Sequence, residues 1–185
     1  MALPPHPTLA ADPGGPIPYE IRAAPDGVVW TSELHGNRLA AHHPRTGRTW
    51  AVALPEPHSG PRRFDVGADG VLWVPAYAAN ALVRYDPRAG RFTRVPLPVA
   101  DAAPYVARVD QATGDVWLGT GAANLVLRYT PRTGAFAAYP LTSRGAMVQH
   151  LAIDPRPARD GARTVGVAYG ASPGIVARVA RLVVR

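Results

Sequence analysis

A chain of 185 residues with 47% hydrophobic residues and a mean hydropathy of -0.05 carries enough apolar material for one folded domain, which excludes intrinsic disorder. It has no cysteine, so disulfides, thiolate metal sites and a cysteine nucleophile are excluded together. The net charge of +7 rests on 20 arginines and no lysine, spread along the chain without a basic run or interleaved aromatics, so no nucleic-acid partner is expected.

The first fifteen residues, MALPPHPTLAADPGG, have neither a basic n-region nor an apolar h-region. The expectation is a cytoplasmic protein as encoded, or an extracytoplasmic one if the N-terminus is truncated. No apolar run reaches the ~20 residues that span a bilayer, so no membrane partner is expected. ALPPHP at positions 2–7 resembles ALPEPH at 53–58, which suggests that the chain opens on the tail of a preceding repeat.

From residue 16 onward one grammar repeats. GNRLAAHHPRTGRTW, ANALVRYDPRAGRFT and ANLVLRYTPRTGAFA carry Asn37, Asn80 and Asn124, all the asparagines of the chain. Pro44, Pro87 and Pro131, Gly47, Gly90 and Gly134, and Trp30, Trp73 and Trp117 follow the same spacing of 43 and then 44 residues. Within the second copy RRFDV alternates, GADG turns, VLWVPAY is apolar, AAN turns, ALVRYD alternates, PRAG turns and RFTRVPL alternates again. Four short strands per ~43 residues, with no 3.6-residue period, describe the blade of a β-propeller. The fold class is therefore all-β: a partial propeller of about four blades, each a four-stranded antiparallel sheet, with blades near 16–58, 59–101, 102–144 and 145–185. Each tryptophan is expected to plug a contact between blades. Each asparagine is expected to serve the turn before the third strand by bonding nearby backbone. The fourth copy is degenerate, with a longer turn at 155–163 and Val167 at the tryptophan position if Arg178 matches Arg128.

PYEIRAAPDGVVWTSELHGNRLAAHHPRTG resembles the repeat of the virginiamycin B lyase family, whose blades read roughly P-Y-G-I, G-P-D-G, L-W-F-T-E and N-R-I-G-R. The resemblance covers three repeats well and the fourth loosely. It implies a seven-bladed propeller, a magnesium ion, and a carbon–oxygen lyase that opens a cyclic depsipeptide of streptogramin type by elimination, a route to antibiotic resistance. In such a site carboxylate and imidazole hold the ion, and a histidine base takes the α-proton.

At the tyrosine position of the first-strand motif stand Tyr19, Arg62, Tyr105 and Gln149, with His150 one place later. Three residues after the tryptophan stand Glu33, Ala76, Thr120 and, in the fourth copy, Gly170. His150 is thus the candidate catalytic residue, and Glu33 with His150 the candidate metal ligands. Tyr19, Arg62, Arg63 and Tyr105 are the candidate ligand-binding set, because guanidinium forks suit planar anions. Glu33 with His35 is the best carboxylate–imidazole pair, with a solvent-exposed pair at the blade rim as the favoured alternative; His42 and His43 read as surface residues.

Two function classes stay open: a magnesium-dependent lyase acting on a cyclic ester, and a non-catalytic propeller that binds a small molecule or protein across its channel. Four blades make part of a ring, so the chain reads as the C-terminal part of a longer propeller or as an arc that self-associates through its open blade faces.

Overall fold

The computed structural model describes residues 4–5, 15–170 and 177–184. Among these residues, short alternating segments separated by positive-φ turns give fifteen strands in four antiparallel sheets, one per repeat. Blade one holds β1 (Pro18–Ala23), β2 (Val29–Glu33), β3 (Arg38–His42) and β4 (Thr49–Ala53). Blade two holds β5 (Asp65–Val66), β6 (Leu72–Ala76), β7 (Ala81–Asp86) and β8 (Arg91–Pro96). Blade three holds β9 (Pro104–Val109), β10 (Val116–Thr120), β11 (Leu125–Thr130) and β12 (Ala135–Pro140). Blade four, among the described residues, holds β13 (Met147–Ile153), β14 (Arg163–Gly170) and β15 (Arg178–Val184). Strands within each sheet pair in chain order, the arrangement of a propeller blade.

The tryptophans act as the repeat period suggests. Trp30 packs in one core cluster with Phe64, Val66, Leu72 and Tyr85 of blade two. Trp73 packs with Val109, Val116 and Tyr129 of blade three. Trp117 packs with Val148, Leu151, Val165 and Val167 of blade four. Each ring leaves its own sheet and fills the contact with the next, so the core lies between blades. At Gly119 the sheets come so close that a Cβ would lie 2.4 Å from Val148 Cγ1, which only glycine avoids.

The asparagines reach farther than expected. Asn37, Asn80 and Asn124 all adopt left-handed backbone, with φ of 50°, 48° and 61°, a region asparagine tolerates. Their Nδ2 groups donate to the carbonyls of Glu56, Val99 and Leu141. Their Oδ1 atoms accept from the backbone N–H groups of Ser59, Ala102 and Ala146. One side chain thereby holds both ends of the connection that leads to the next blade, rather than only its own turn.

Two strand-level expectations are corrected. RRFDV shortens to the two-residue β5, because the backbone of Arg63 pairs instead with Tyr105 and Ala107 of blade three, at 3.1 and 2.8 Å. In blade four Gly166, not Val167, faces Ala152 and Arg181 in the register that Trp117 shares with Arg108 and Arg128. Val167 pairs with Leu151 as Leu118 pairs with Ala107, and is buried in the core against blade three. A register slip of one residue moves a side chain to the other face of the sheet, so the fourth blade turns no tryptophan outward.

Candidate functional site

The first strands of blades one to three bring their opening residues together. In β1, β9 and β13 a bulge interrupts the pairing around Tyr19, Tyr105 and Gln149, which re-aims those side chains. The Tyr19 and Tyr105 hydroxyls share a hydrogen bond across 86 residues of sequence. The Arg62 guanidinium lies among three tyrosine rings, 4.0 Å from the centre of Tyr77, 4.8 Å from Tyr105 and 5.4 Å from Tyr19. It donates to the Tyr19 hydroxyl at 3.0 Å. Arg63 lies over the other part of this cluster, 5.5 Å from the Tyr19 ring. The four residues expected to bind a ligand, Tyr19, Arg62, Arg63 and Tyr105, are therefore neighbours in space.

Beneath them runs a charge lattice that sequence reasoning missed. Glu20 pairs with Arg22 at 2.7 Å, Arg108 at 3.5 Å and Arg63 at 3.7 Å. Arg22 bridges to Asp65 of the next blade at 3.0 Å, and Asp65 also accepts the backbone N–H of Val109. Three guanidinium groups face two carboxylates here and Arg62 lies beside them, so positive charge remains in excess. The buried Nε atoms of Arg62 and Arg63 have no hydrogen-bond partner among the described residues. Arg22, Asp65 and Arg108 occupy one register position in successive blades, each opposite the blade's tryptophan. Their spacing of 43 residues was the signal that could have revealed them. Tyr77 follows β6 directly and has no tyrosine counterpart in the other repeats, so no periodicity marked it.

His150 stands on β13 one place after the bulge, at the position Glu20 holds in blade one. Desolvation lowers its pKa below that of a free imidazole, and the Arg63 and Arg108 charges lower it further, against an opposing pull from Glu20. It is consequently neutral, and able to accept a proton, at pH 7. Burial raises the Tyr19 pKa, with the Tyr105 hydroxyl bond adding to it, so Tyr19 stays a neutral donor and acceptor. Burial is also the leading cause that lowers the Arg108 pKa, followed by repulsion from Arg22.

The expected metal ligand Glu33 is differently engaged. It is fully buried, and Arg38 donates from Nε to one of its oxygens at 2.5 Å and from Nη2 to the other at 3.2 Å. Arg38 also donates to the carbonyls of Pro4 and Pro5. A Cβ at Gly36 would lie 2.7 Å from Glu33 Oε2, so the loop closes tightly over the carboxylate. The partner of Glu33 is thus Arg38 rather than His35. His42 lies at the end of β3, facing a groove on the outer face of blade one. Among the described residues no three histidine, aspartate or glutamate side chains converge as a metal centre would require.

The charge environment of His150 predicts a titration. Followed by NMR, its imidazole titrates below the free value; Arg63→Gln raises the midpoint and Glu20→Gln lowers it. Because the folded-state pKa is depressed, the unfolded chain binds the proton first as pH falls. The His150 contribution to stability is complete above the free-imidazole value and is lost as pH drops toward the folded value. Added salt moves the midpoint upward, since His150 is exposed and the arginine repulsion is screened.

A profile of the virginiamycin B lyase family matches residues 9–162. No curated protein matches the chain. Among solved structures it resembles virginiamycin B lyase from Staphylococcus aureus, at 22% identity and a TM-score of 0.69, over 89% of this chain and 55% of that one. A streptogramin B lyase is similar at 21% identity and a TM-score of 0.71, over 89% of this chain and 53% of that one. A catalytically inactive form of the Staphylococcus aureus lyase solved with quinupristin matches at 17% identity and a TM-score of 0.71, over 91% and 56% of the two chains. This chain therefore spans about half the length of these relatives, and at such identities the structural likeness speaks for the fold. With the profile covering most of the sequence, the chain belongs to the virginiamycin B lyase family.

Proposed function

We propose that this propeller binds a small molecule carrying a planar anion, a carboxylate above all, at the tyrosine-framed Arg62 and the adjacent Arg63. The observation that supports this reading most is the excess positive charge held among aromatic faces, with the Arg62 guanidinium among three tyrosine rings and Arg63 beside it. Guanidinium forks match carboxylates in shape, and tyrosine rings supply apolar contact for the rest of the ligand. Charge-assisted hydrogen bonds contribute about 1.5–3 kcal/mol each, so Arg62→Ala should weaken binding roughly ten- to hundredfold. Calorimetric titration with 4-hydroxybenzoate, and with inorganic phosphate as a second probe, measures this. Equal affinity of wild type and the Arg62→Ala variant for both anions defeats the proposal.

A second reading is favoured by the family and by the neutral imidazole of His150: a lyase acting on a cyclic ester. His150 would take a proton from the carbon next to the one that bears the ester oxygen, the alkyl C–O bond would break to leave an alkene between those two carbons, and the released carboxylate would face the arginines. The residues present do not fit the magnesium ion that the family resemblance implies at Glu33 and His150, because both Glu33 oxygens accept from Arg38. Incubation with quinupristin, with and without magnesium, separates the readings. Elimination gives a ring-opened product of unchanged mass, whereas hydrolysis adds one water; an unaltered substrate leaves the binding reading.

A further inference from the structure

The three internal blade contacts share a socket. The receiving blade supplies one residue from its first strand, two from its second and one from its third, and the preceding blade supplies a tryptophan. Blade two offers Phe64, Leu72, Val74 and Tyr85 to Trp30, whose ring meets Tyr85 edge-on at 5.7 Å. Blade three offers Ala107, Val116, Leu118 and Tyr129 to Trp73, again with a ring contact at 5.7 Å. Blade four offers Leu151, Val165, Val167 and Leu182 to Trp117.

Blade one builds the same socket from Ile21, Val29, Thr31 and His42, which share its register. There they line a mostly apolar groove of about 340 Å³. Ile21 is 63% exposed, while its counterparts Phe64 and Ala107 are wholly buried. His42 takes the place of Tyr85 and Tyr129, and its buried Nδ1 has no hydrogen-bond partner among the described residues. An indole is the side chain that fills such a socket elsewhere in this protein.

A second copy of the chain does not supply that indole from blade four, where Gly166 stands in the tryptophan register. The chain has four tryptophans; three fill the internal sockets, and Trp50 packs edge-on against Trp30 at 5.6 Å. We propose that the Ile21–His42 groove is a docking site for a tryptophan-bearing β-strand of propeller-blade type from another polypeptide segment. The inference does not depend on the anion site.

The test uses the whole chain, labelled with ¹⁵N, and two probes: N-acetyl-tryptophanamide, and a capped peptide copying residues 113–121 so as to present an unattached equivalent of Trp117. The expected result is saturable NMR shifts centred on Ile21, Val29, Thr31 and the His42 imidazole. They should be absent with a peptide carrying alanine in place of the tryptophan. Ile21→Glu, at an exposed position that leaves the fold intact, should weaken binding at least tenfold, and His42→Ala should weaken it to a smaller extent. Indifference of the groove to both probes overturns the proposal. So does a dimer in light scattering that disperses in Ile21→Glu and alike in Val179→Glu, a substitution at an exposed position on β15 of blade four, since a second copy then covers the groove without a tryptophan.

Discussion

Trp117→Ala lowers the free energy of unfolding by about 3–5 kcal/mol, the range for deleting a large buried ring. The side chain is 1% exposed, stacks on Tyr139 at 5.5 Å, carries Arg128 over its face, and spans the contact between blades three and four. Alanine leaves a cavity lined by Val148, Leu151, Val165 and Val167, residues on strands whose pairing limits how far they can collapse inward. Against a typical domain stability of about 5–15 kcal/mol this is a large fraction. The thermal midpoint should fall by on the order of 10 °C. Trp50→Ala, at a half-buried ring on the outer strand, should cost clearly less. Urea denaturation followed by circular dichroism compares the two. Equal losses would mean that the tryptophans stabilise through area alone and not through their place between blades.

Arg38→Met is the second large effect, with an expected loss of about 3–5 kcal/mol. Its guanidinium is the charge partner of a Glu33 side chain that has no exposure to solvent, and it also holds the carbonyls of Pro4 and Pro5. Removing it strands a carboxylate without its counter-charge in a low-dielectric interior. The double replacement Glu33→Leu with Arg38→Met should recover most of the stability, since apolar residues of similar volume substitute well for a buried ion pair. Failure of the double variant to recover would assign the cost to the Pro4 and Pro5 contacts instead. The same experiment bears on the metal expectation: a Glu33 that serves as a structural counter-ion is replaceable without loss of anion binding at Arg62.

Legibility followed the repeat. Trp30, Trp73 and Trp117 could be assigned to blade contacts from spacing alone, because each blade meets the next in the same way and the same residue type recurs. Tyr19, Arg62 and Tyr105 could be grouped because they share one motif position, and the bulge at each first strand turns that shared position into a shared place. Tyr77 and Glu20 could not be read this way. Tyr77 is unique to its copy, and Glu20 acts by reaching arginines on three different strands or segments, which no local window contains. The assignment of Glu33 to a metal took the residue type at the right position, but the neighbour that decides its role, Arg38, lies across the following loop. In the fourth copy, where the motif decays, alignment by Arg178 placed Val167 one residue off, and strand pairing was needed to put Gly166 there.

By itself, the sequence determined the all-β propeller class, the four repeats, the plugging role of three tryptophans and the family. The class, the repeats and the tryptophans rest on periodicity, which is a property of the chain, and the family rests on the motif residues of the repeat. Only the tertiary structure decided which charges meet, that Glu33 pairs with Arg38, that Arg62 sits among Tyr19, Tyr77 and Tyr105, and that blade one carries a copy of the socket that no described tryptophan fills. The physical reason is that apolar burial repeats with the blade, whereas ion pairs and cavities depend on single residues brought together from different blades.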